Sequence, residues 1–455
     1  MRWVFIVETW YEARPAMSGF AVGLLSVALI LVLIYGGLYI PVALGLVSFI
    51  GVWIIRGNVD VPISLLALAA ADSVSHYIFA VVPLFALMGL LVGQAGLGRD
   101  VYEVANGVFR RLRGGLGIAT VAANAVFAAV TGSSIASASV FTRISVPEMR
   151  RFGYTARFTV GVVAGSSVLG MLIPPSVMLI LYAIIAEQSV GDMFIAGVIP
   201  GLVLAVAYSV AIIAMAYLVP RFVGGPDGSQ DALAAEDGLS FWQALVKLGP
   251  IGLLIVVVLG GIYGGVFTPT EAGAAGALFA LIIALAKGRL TWSGLCRVLV
   301  ETGHITASIL LLIIAASMYS RMLGVAALPT ALGAWIGDLD LGLYGLMALY
   351  VVILIILGTL LDTASIILIL VPLFLPVVEV FDVSLVWFGI ITVLGAEIGL
   401  LTPPLGISCF VIKSTIDDPN VTLFDIFAGA FPFAVIMLLV LLLIIAFPPL
   451  SLMLI

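Results

Sequence analysis

Two groups of small polar residues stand out against an otherwise apolar chain. Gly132-Ser133-Ser134-Ile135-Ala136-Ser137 is followed about forty residues later by Ile173-Pro174-Pro175-Ser176. In the second half, Gly358-Thr359-Leu360-Leu361-Asp362-Thr363-Ala364-Ser365 is followed at a similar distance by Leu401-Thr402-Pro403-Pro404. A helix beginning at Ser133-Ser134 offers unpaired backbone N–H groups and a positive dipole end, which suits a carboxylate or another anion. The hydroxyls of Ser133, Ser134 and Ser137, with carbonyls left over by a chain reversal, suit a hard cation such as sodium. Each Pro-Pro removes two backbone donors and pushes the preceding residue out of helix geometry. That leaves open carbonyls beside Ser176 and Thr402. A paired interruption at corresponding positions of two halves points to the binding site of a carrier.

Each residue also has a plainer reading. Serine in a lipid-embedded helix often returns its hydroxyl to a preceding carbonyl or lets helices approach. Asp362 is sharper, because a carboxylate at the bilayer centre costs about 2.5–3.5 kcal/mol on insertion scales and normally has a partner or a function. It is expected at or beside a cation site, or as the cap of a helix starting there, and the two roles are compatible. Glu397, between Gly395 and Gly399, reads equally as functional or structural. Glu187 and Asp192 read as solvated residues near a helix end.

The elements that must position these residues follow from composition. Of 455 residues, 63% are hydrophobic and 9% charged, far below the roughly 25% charged residues of a soluble domain. Apolar runs recur along nearly the whole chain, and a helical crossing needs about 20 residues. The fold class is therefore an all-α polytopic membrane protein. A β-barrel would need alternating polar positions that Leu253–Leu259 and Leu438–Ile445 lack. His76, His304, Cys296 and Cys409 form no metal or catalytic set. Residues 1–17 lack the apolar core of a signal peptide and read as an interfacial lead-in carrying Trp3, Trp10 and Tyr11.

Arg99, Arg110, Arg111 and Arg113 precede the apolar stretch 115–142, and Arg143, Arg150, Arg151 and Arg157 follow it. Both ends are thus cytoplasmic by the positive-inside rule, and the stretch is too short for two full crossings. It reads as a re-entrant hairpin reversing at Thr131-Gly132-Ser133-Ser134. A first repeat covers 18–219 and a polar cytoplasmic linker 220–241. A second repeat covers 242–455, with its own hairpin at about 362–382 and a helix broken at Pro403-Pro404. Lys287, Arg289 and Arg297 place one second-half loop inside, and Lys413 does the same for the end of the broken helix. The repeats come out inverted, with two re-entrant hairpins and two broken helices, as in many secondary carriers. Arg2, Arg14 and Arg321 fit this topology poorly.

The run from Thr131 to Ala138, Val146-Pro147-Glu148-Met149, Phe152-Gly153-Tyr154 and Ile173-Pro174-Pro175-Ser176 resembles the large membrane subunit of tripartite ATP-independent periplasmic (TRAP) transporters. So do Ala196-Gly197, Pro200-Gly201, Gly358, Asp362-Thr363-Ala364, Val371-Pro372, Pro376 and Leu401-Thr402-Pro403-Pro404-Leu405-Gly406. The resemblance spans most of the chain. It implies a sodium-coupled importer of organic acids, often carboxylates, in the bacterial or archaeal cytoplasmic (inner) membrane. It also implies an elevator-type motion, a small membrane subunit expected on a separate chain, and a periplasmic substrate-binding protein. Matched to the family, sodium is expected at Ser133, Ser134, Ser137, Gly358 and Asp362, with Thr402 completing the second site. Substrate is expected at Ser133, Ser134, Pro174, Pro175, Thr363, Thr402 and Pro403. The remaining partners are the organic acid and the lipid bilayer, and no nucleic acid is expected.

Other classes compete. A self-sufficient sodium-coupled di- or tricarboxylate carrier shares the same physics and differs in needing no binding protein. A channel would call for a ring-forming charge pattern or a filter-like segment. An enzyme would call for a catalytic constellation.

Overall fold

The computed structural model describes residues 18–75, 77–224, 240–338, 342–416 and 418–455. The lead-in 1–17, His76 and most of the linker lie outside the described residues. All regular structure among the described residues is helical, apart from an isolated bridge between Tyr154 and Gly224. Among the described residues six helices are long and apolar enough to cross a membrane, or seven when a bent pair is taken as one span. The chain is an all-α polytopic membrane protein.

The chain divides into two compact units, each assembled from separate stretches of sequence. The first runs up to Phe79 and adds Ala307–Leu346 and Leu368–Val383. It contains α1 (Gly19–Tyr35), α2 (Ile40–Arg56) and α3 (Asp60–Ser75). The Ser18 side chain caps α1 by accepting from Ala21 N, and Gly57, at φ +69°, closes α2 in the left-handed conformation. Arg321, which charge counting places badly, donates to Asp72 at 2.5 Å. Its charge is matched within the protein, so it does not report which side of the membrane it faces.

The second unit comprises Ala80–Thr306, Met347–Ile367 and Ser384–Ile455. It opens with α4 (Val81–Gln94) and α5 (Leu97–Phe109), then α6 (Gly115–Thr131) and α7 (Ser134–Arg151). The last two form the first hairpin. Gly132 turns the chain at φ +59°, and Phe127 meets Phe141 edge-on across the limbs at 5.6 Å. The returning limb runs to Arg151, well past residue 142. Ala138, Phe141, Ser145 and Met149 keep one face buried while Arg143 and Arg150 sit on the exposed one.

Next comes α8 (Ala156–Ser167), which continues through the short turn Leu169–Leu172 to Pro174-Pro175, and then α9 (Val177–Ile185). The axis bends by 44° at this break. α10 (Val190–Leu218), α11 (Phe241–Ile255) and α12 (Pro269–Ala286) follow. The start of the linker is folded: Val223 O accepts from Thr155 N.

The second half gives α13 (Trp292–Ala326), α14 (Leu328–Asp338), α15 (Leu343–Gly358), α16 (Thr363–Glu379), α17 (Leu385–Gly399), α18 (Ile407–Thr415) and α19 (Leu423–Ala446). Residues 363–379 form one uninterrupted helix, so the interruption lies at 359–362 and not inside 362–382. Leu360 and Leu361 leave only Thr359 and Asp362 to mark that turn, and neither is the glycine or proline that punctuates the first hairpin and the two breaks. Pro372 and Pro376 sit inside α16 without ending it.

Cationic loops assigned to the inside by sequence meet within this unit. Lys287 pairs with Asp100, Arg289 reaches the Ala95 carbonyl at 3.3 Å, and Lys247 bonds Glu103 at 2.5 Å. Arg157 bonds Asp425 at 2.7 Å. Segments from both halves that carry the positive-inside signal are thereby brought together.

Candidate functional site

Each polar tip rests on the proline break of its own half. At the first tip the Pro175 carbonyl lies against Gly132, where a Cβ would stand 2.5 Å from that oxygen. A Cβ on Gly170, in the turn before the break, would stand 2.8 Å from the Ser133 carbonyl oxygen. Ser176 caps α9 by accepting from Leu179 N and returns its own proton to Met171 O at 2.5 Å. At the second tip Gly358 and Gly399 touch backbone to backbone, a Cβ on Gly399 falling 2.3 Å from Gly358 Cα. Leu405 N then donates to Thr359 O at 3.2 Å. Both breaks carry a cis bond, Pro174-Pro175 and Pro403-Pro404.

The hydroxyls of the first hairpin separate into two kinds. Thr131, Thr142 and Ser145 donate to carbonyls one turn earlier at 2.6–2.9 Å. That is the ordinary fate of a hydroxyl inside an apolar helix. Ser133 caps α7 by accepting from Ala136 N at 3.3 Å. Ser134 and Ser137 are fully buried, and neither Oγ forms a hydrogen bond. One turn apart, they share a face of α7. A buried hydroxyl without a partner costs about 1–3 kcal/mol, so these two oxygens are the ones with capacity for a ligand.

Asp362 is engaged locally. Its carboxylate accepts from Ala364 N at 3.1 Å, from Ser365 N at 3.3 Å and from the Ser365 hydroxyl. It is the cap of α16, the plainer of its two sequence readings, and it remains half-buried at the tip. Thr363 is buried and donates its hydroxyl to Glu397 Oε1 at 2.7 Å. Thr402 donates to Gly399 O at 2.9 Å and is half-buried; Pro403 is exposed, whereas Pro174 and Pro175 are buried.

Glu397 joins what the sequence left apart. It lies on α17, 1% exposed, and holds Thr363 of the second tip. Ser134 of the first tip lies beside the same carboxyl without making a directed bond, and Asp362 is within electrostatic range. Ser134, Asp362, Thr363 and Glu397 therefore form one cluster. Thr402 and Pro403 belong to the neighbouring second break. Among the described residues no three His, Cys, Asp or Glu side chains converge as a metal site. The donor set here is instead hydroxyl, carboxylate and carbonyl oxygen at interrupted helices, the kind of set that holds a monovalent cation in carriers.

Comparison with known proteins places this architecture. In solved structures the chain resembles the YdaH transporter of Alcanivorax borkumensis, with a TM-score of 0.57 and 15% identity over 85% of this chain and 88% of that one. It also resembles MtrF of Neisseria gonorrhoeae, with a TM-score of 0.51 and 11% identity over 84% of each. These likenesses concern the fold. In sequence it is 35% identical to the C4-dicarboxylate TRAP transporter large permease protein DctM of Pseudomonas aeruginosa, over 85% of this chain and 88% of that protein. It is 30% identical to the sialic acid TRAP transporter large permease protein SiaM of Vibrio cholerae, covering 93% and 96%. The ectoine TRAP transporter large permease protein TeaC of Halomonas elongata is also 30% identical, covering 94% and 97%. The description "Tripartite ATP-independent periplasmic transporter, DctM component" matches residues 27–450. The chain belongs to that family: it is the large permease subunit of a TRAP transporter, a transport protein of the inner membrane and not an enzyme.

Proposed function

We propose that this subunit imports an organic acid by sodium symport, receiving it from a periplasmic substrate-binding protein and working beside a small membrane subunit on a separate chain. The observation that carries this reading is the first tip. Two buried serine hydroxyls without directed partners lie on the opening turn of a helix whose N-terminal dipole end favours an anion, Ser133 capping the N–H of Ala136. The residues fit the two ligands in different ways. Ser134 and Ser137 supply oxygens to sodium, with Ser133 and the reversal contributing carbonyls. The N–H groups at the start of α7 meet the carboxylate. At the second tip Asp362, the Gly358 carbonyl and Thr402 play the sodium-holding part, and Thr363, Thr402 and Pro403 face the substrate with Pro174 and Pro175 of the first break.

Sodium would supply the positive charge that lets both helix ends approach an anion in an apolar setting. Chemistry of the relatives agrees with a carboxylate substrate: they are named for C4-dicarboxylates, sialic acid and ectoine, all carboxylates. Inverted repeats are supported by the likeness of the two tip-on-break arrangements. All tip and break residues fall in the second compact unit, which supports an elevator motion in which they travel as one body.

The test is uptake by proteoliposomes containing this chain and its small subunit, with and without the binding protein and an inward sodium gradient. Uptake that requires both is expected. Sodium-driven uptake without the binding protein would replace this reading with a self-sufficient carrier. Uptake indifferent to sodium would remove the symport.

A further inference from the structure

Glu397 carries a negative charge, or a proton, into a place with no basic residue. It is 1% exposed, and among the described residues no Lys, Arg or His pairs with it. One oxygen accepts from Thr363; the other, Oε2, has no partner. The nearby charge is Asp362, of the same sign. An ionised carboxylate left so is among the most costly things a protein can bury. Glu397 Oε2, Ser134 Oγ and Ser137 Oγ make no directed hydrogen bond, and Ser134 lies against the Glu397 carboxyl.

Its placement is held firmly. Gly395 packs against Leu354, where a Cβ would stand 2.6 Å from Leu354 Cδ1, and Gly399 packs against Gly358. These two contacts, one turn apart on α17, fasten that helix to α15 on either side of Glu397. The carboxyl is thus presented by a rigid element of the second half to a tip of the first half.

We propose that Glu397 is the charged ligand of the cation held at the first tip, closing across the two halves a site whose other oxygens come from Ser134 and Ser137. The assignment rests on the sodium reading given above and adds to it the source of the negative charge. It also gives one cation a hand on both tips. Ser134 of the first tip lies against the Glu397 carboxyl while Oε1 holds Thr363 at the start of α16, so occupancy at one tip orders the other through a single side chain.

Glu397→Gln tests this, because the amide keeps the shape and the acceptor for Thr363 while removing the charge. Thermal unfolding of purified protein is measured in sodium chloride and in choline chloride at equal ionic strength, alongside the sodium concentration for half-maximal uptake. The sodium-specific gain in Tm is expected to shrink to less than a third of the wild-type gain, and half-maximal uptake to need about tenfold more sodium. In choline the variant should unfold at the wild-type temperature or above it, since an uncompensated charge has gone. Glu397→Asp, which keeps the charge on a shorter arm, should recover part of the sodium gain.

A Gln variant with the wild-type sodium gain and sodium requirement would overturn the assignment and leave symport standing. Equal loss of stability in both salts would make Glu397 a structural hydrogen-bond acceptor. Wild-type protein with no sodium gain and no sodium-dependent uptake would overturn both readings together.

Discussion

The carbonyl of Pro175 lies directly over Gly132, so that the tip of the first hairpin and the break of the following helix share one small volume. Gly132 must be both left-handed, at φ +59°, and without a side chain, because a Cβ would stand 2.5 Å from that oxygen. The tip can keep its present seat only if this residue is glycine.

Gly132→Ala is therefore expected to displace the tip without unfolding the chain, since the limbs still pack through Phe127 and Phe141. Backbone strain of about 1–3 kcal/mol concentrates at the reversal. Uptake should fall at least tenfold at normal membrane expression. Wild-type uptake would mean that the seat on Pro175 has no part in transport.

Asp362 separates capping from charge. Asn caps a helix about as well as Asp, whereas Ala costs about 1 kcal/mol. Asp362→Asn should keep the wild-type Tm, and Asp362→Ala should lower it. If the carboxylate also serves a cation, both variants lose sodium-dependent uptake. Full uptake by the Asn variant would leave Asp362 as a cap only.

Away from the tips, Glu103 sits between Lys247 at 2.5 Å and Arg99 at 2.9 Å. Partial burial raises its pKa, but the two cations outweigh that and hold it below the ordinary carboxylate value. A carboxylate depressed in the folded state contributes stability above its unfolded pKa and loses it as pH falls through the folded one. Acidification below the usual Glu range should thus lower Tm more in wild type than in Glu103→Gln. Because the Glu103 side chain is still about a third exposed, solvent screens the cluster and the difference is expected to be small; parallel curves would show that the cluster contributes nothing.

The sequence made the first hairpin legible because glycine and serine interrupt an apolar run bracketed by arginines on both sides. The two breaks were legible for the same reason, since Pro-Pro has few places in a helix. The sequence places the second reversal inside 362–382, where Pro372 and Pro376 read as interruptions, whereas α16 runs through both and the chain turns at 359–362. Asp362 had two chemical roles open to it, and only coordinates reveal that Ala364 N and both donors of Ser365 occupy it. Arg321 misled charge counting because its partner, Asp72, is remote in sequence. Glu397 was visible as an odd carboxylate, yet its neighbours Ser134 and Thr363 are also far along the chain, and no local spacing could have joined them.

The sodium site at the first tip stands or falls with Ser134 and Ser137. Neither hydroxyl makes a directed hydrogen bond, so Ser134→Ala with Ser137→Ala removes little beyond the contact of Ser134 with the Glu397 carboxyl, and stability in sodium-free buffer should change by no more than about 1.5 kcal/mol. The decisive measurement is sodium-titrated substrate uptake in proteoliposomes supplied with the small subunit and the binding protein, wild type against this double variant. A sodium requirement raised at least tenfold with an unchanged fold is expected. An unchanged sodium requirement would contradict the site, because the two oxygens with capacity for a ligand would then hold none.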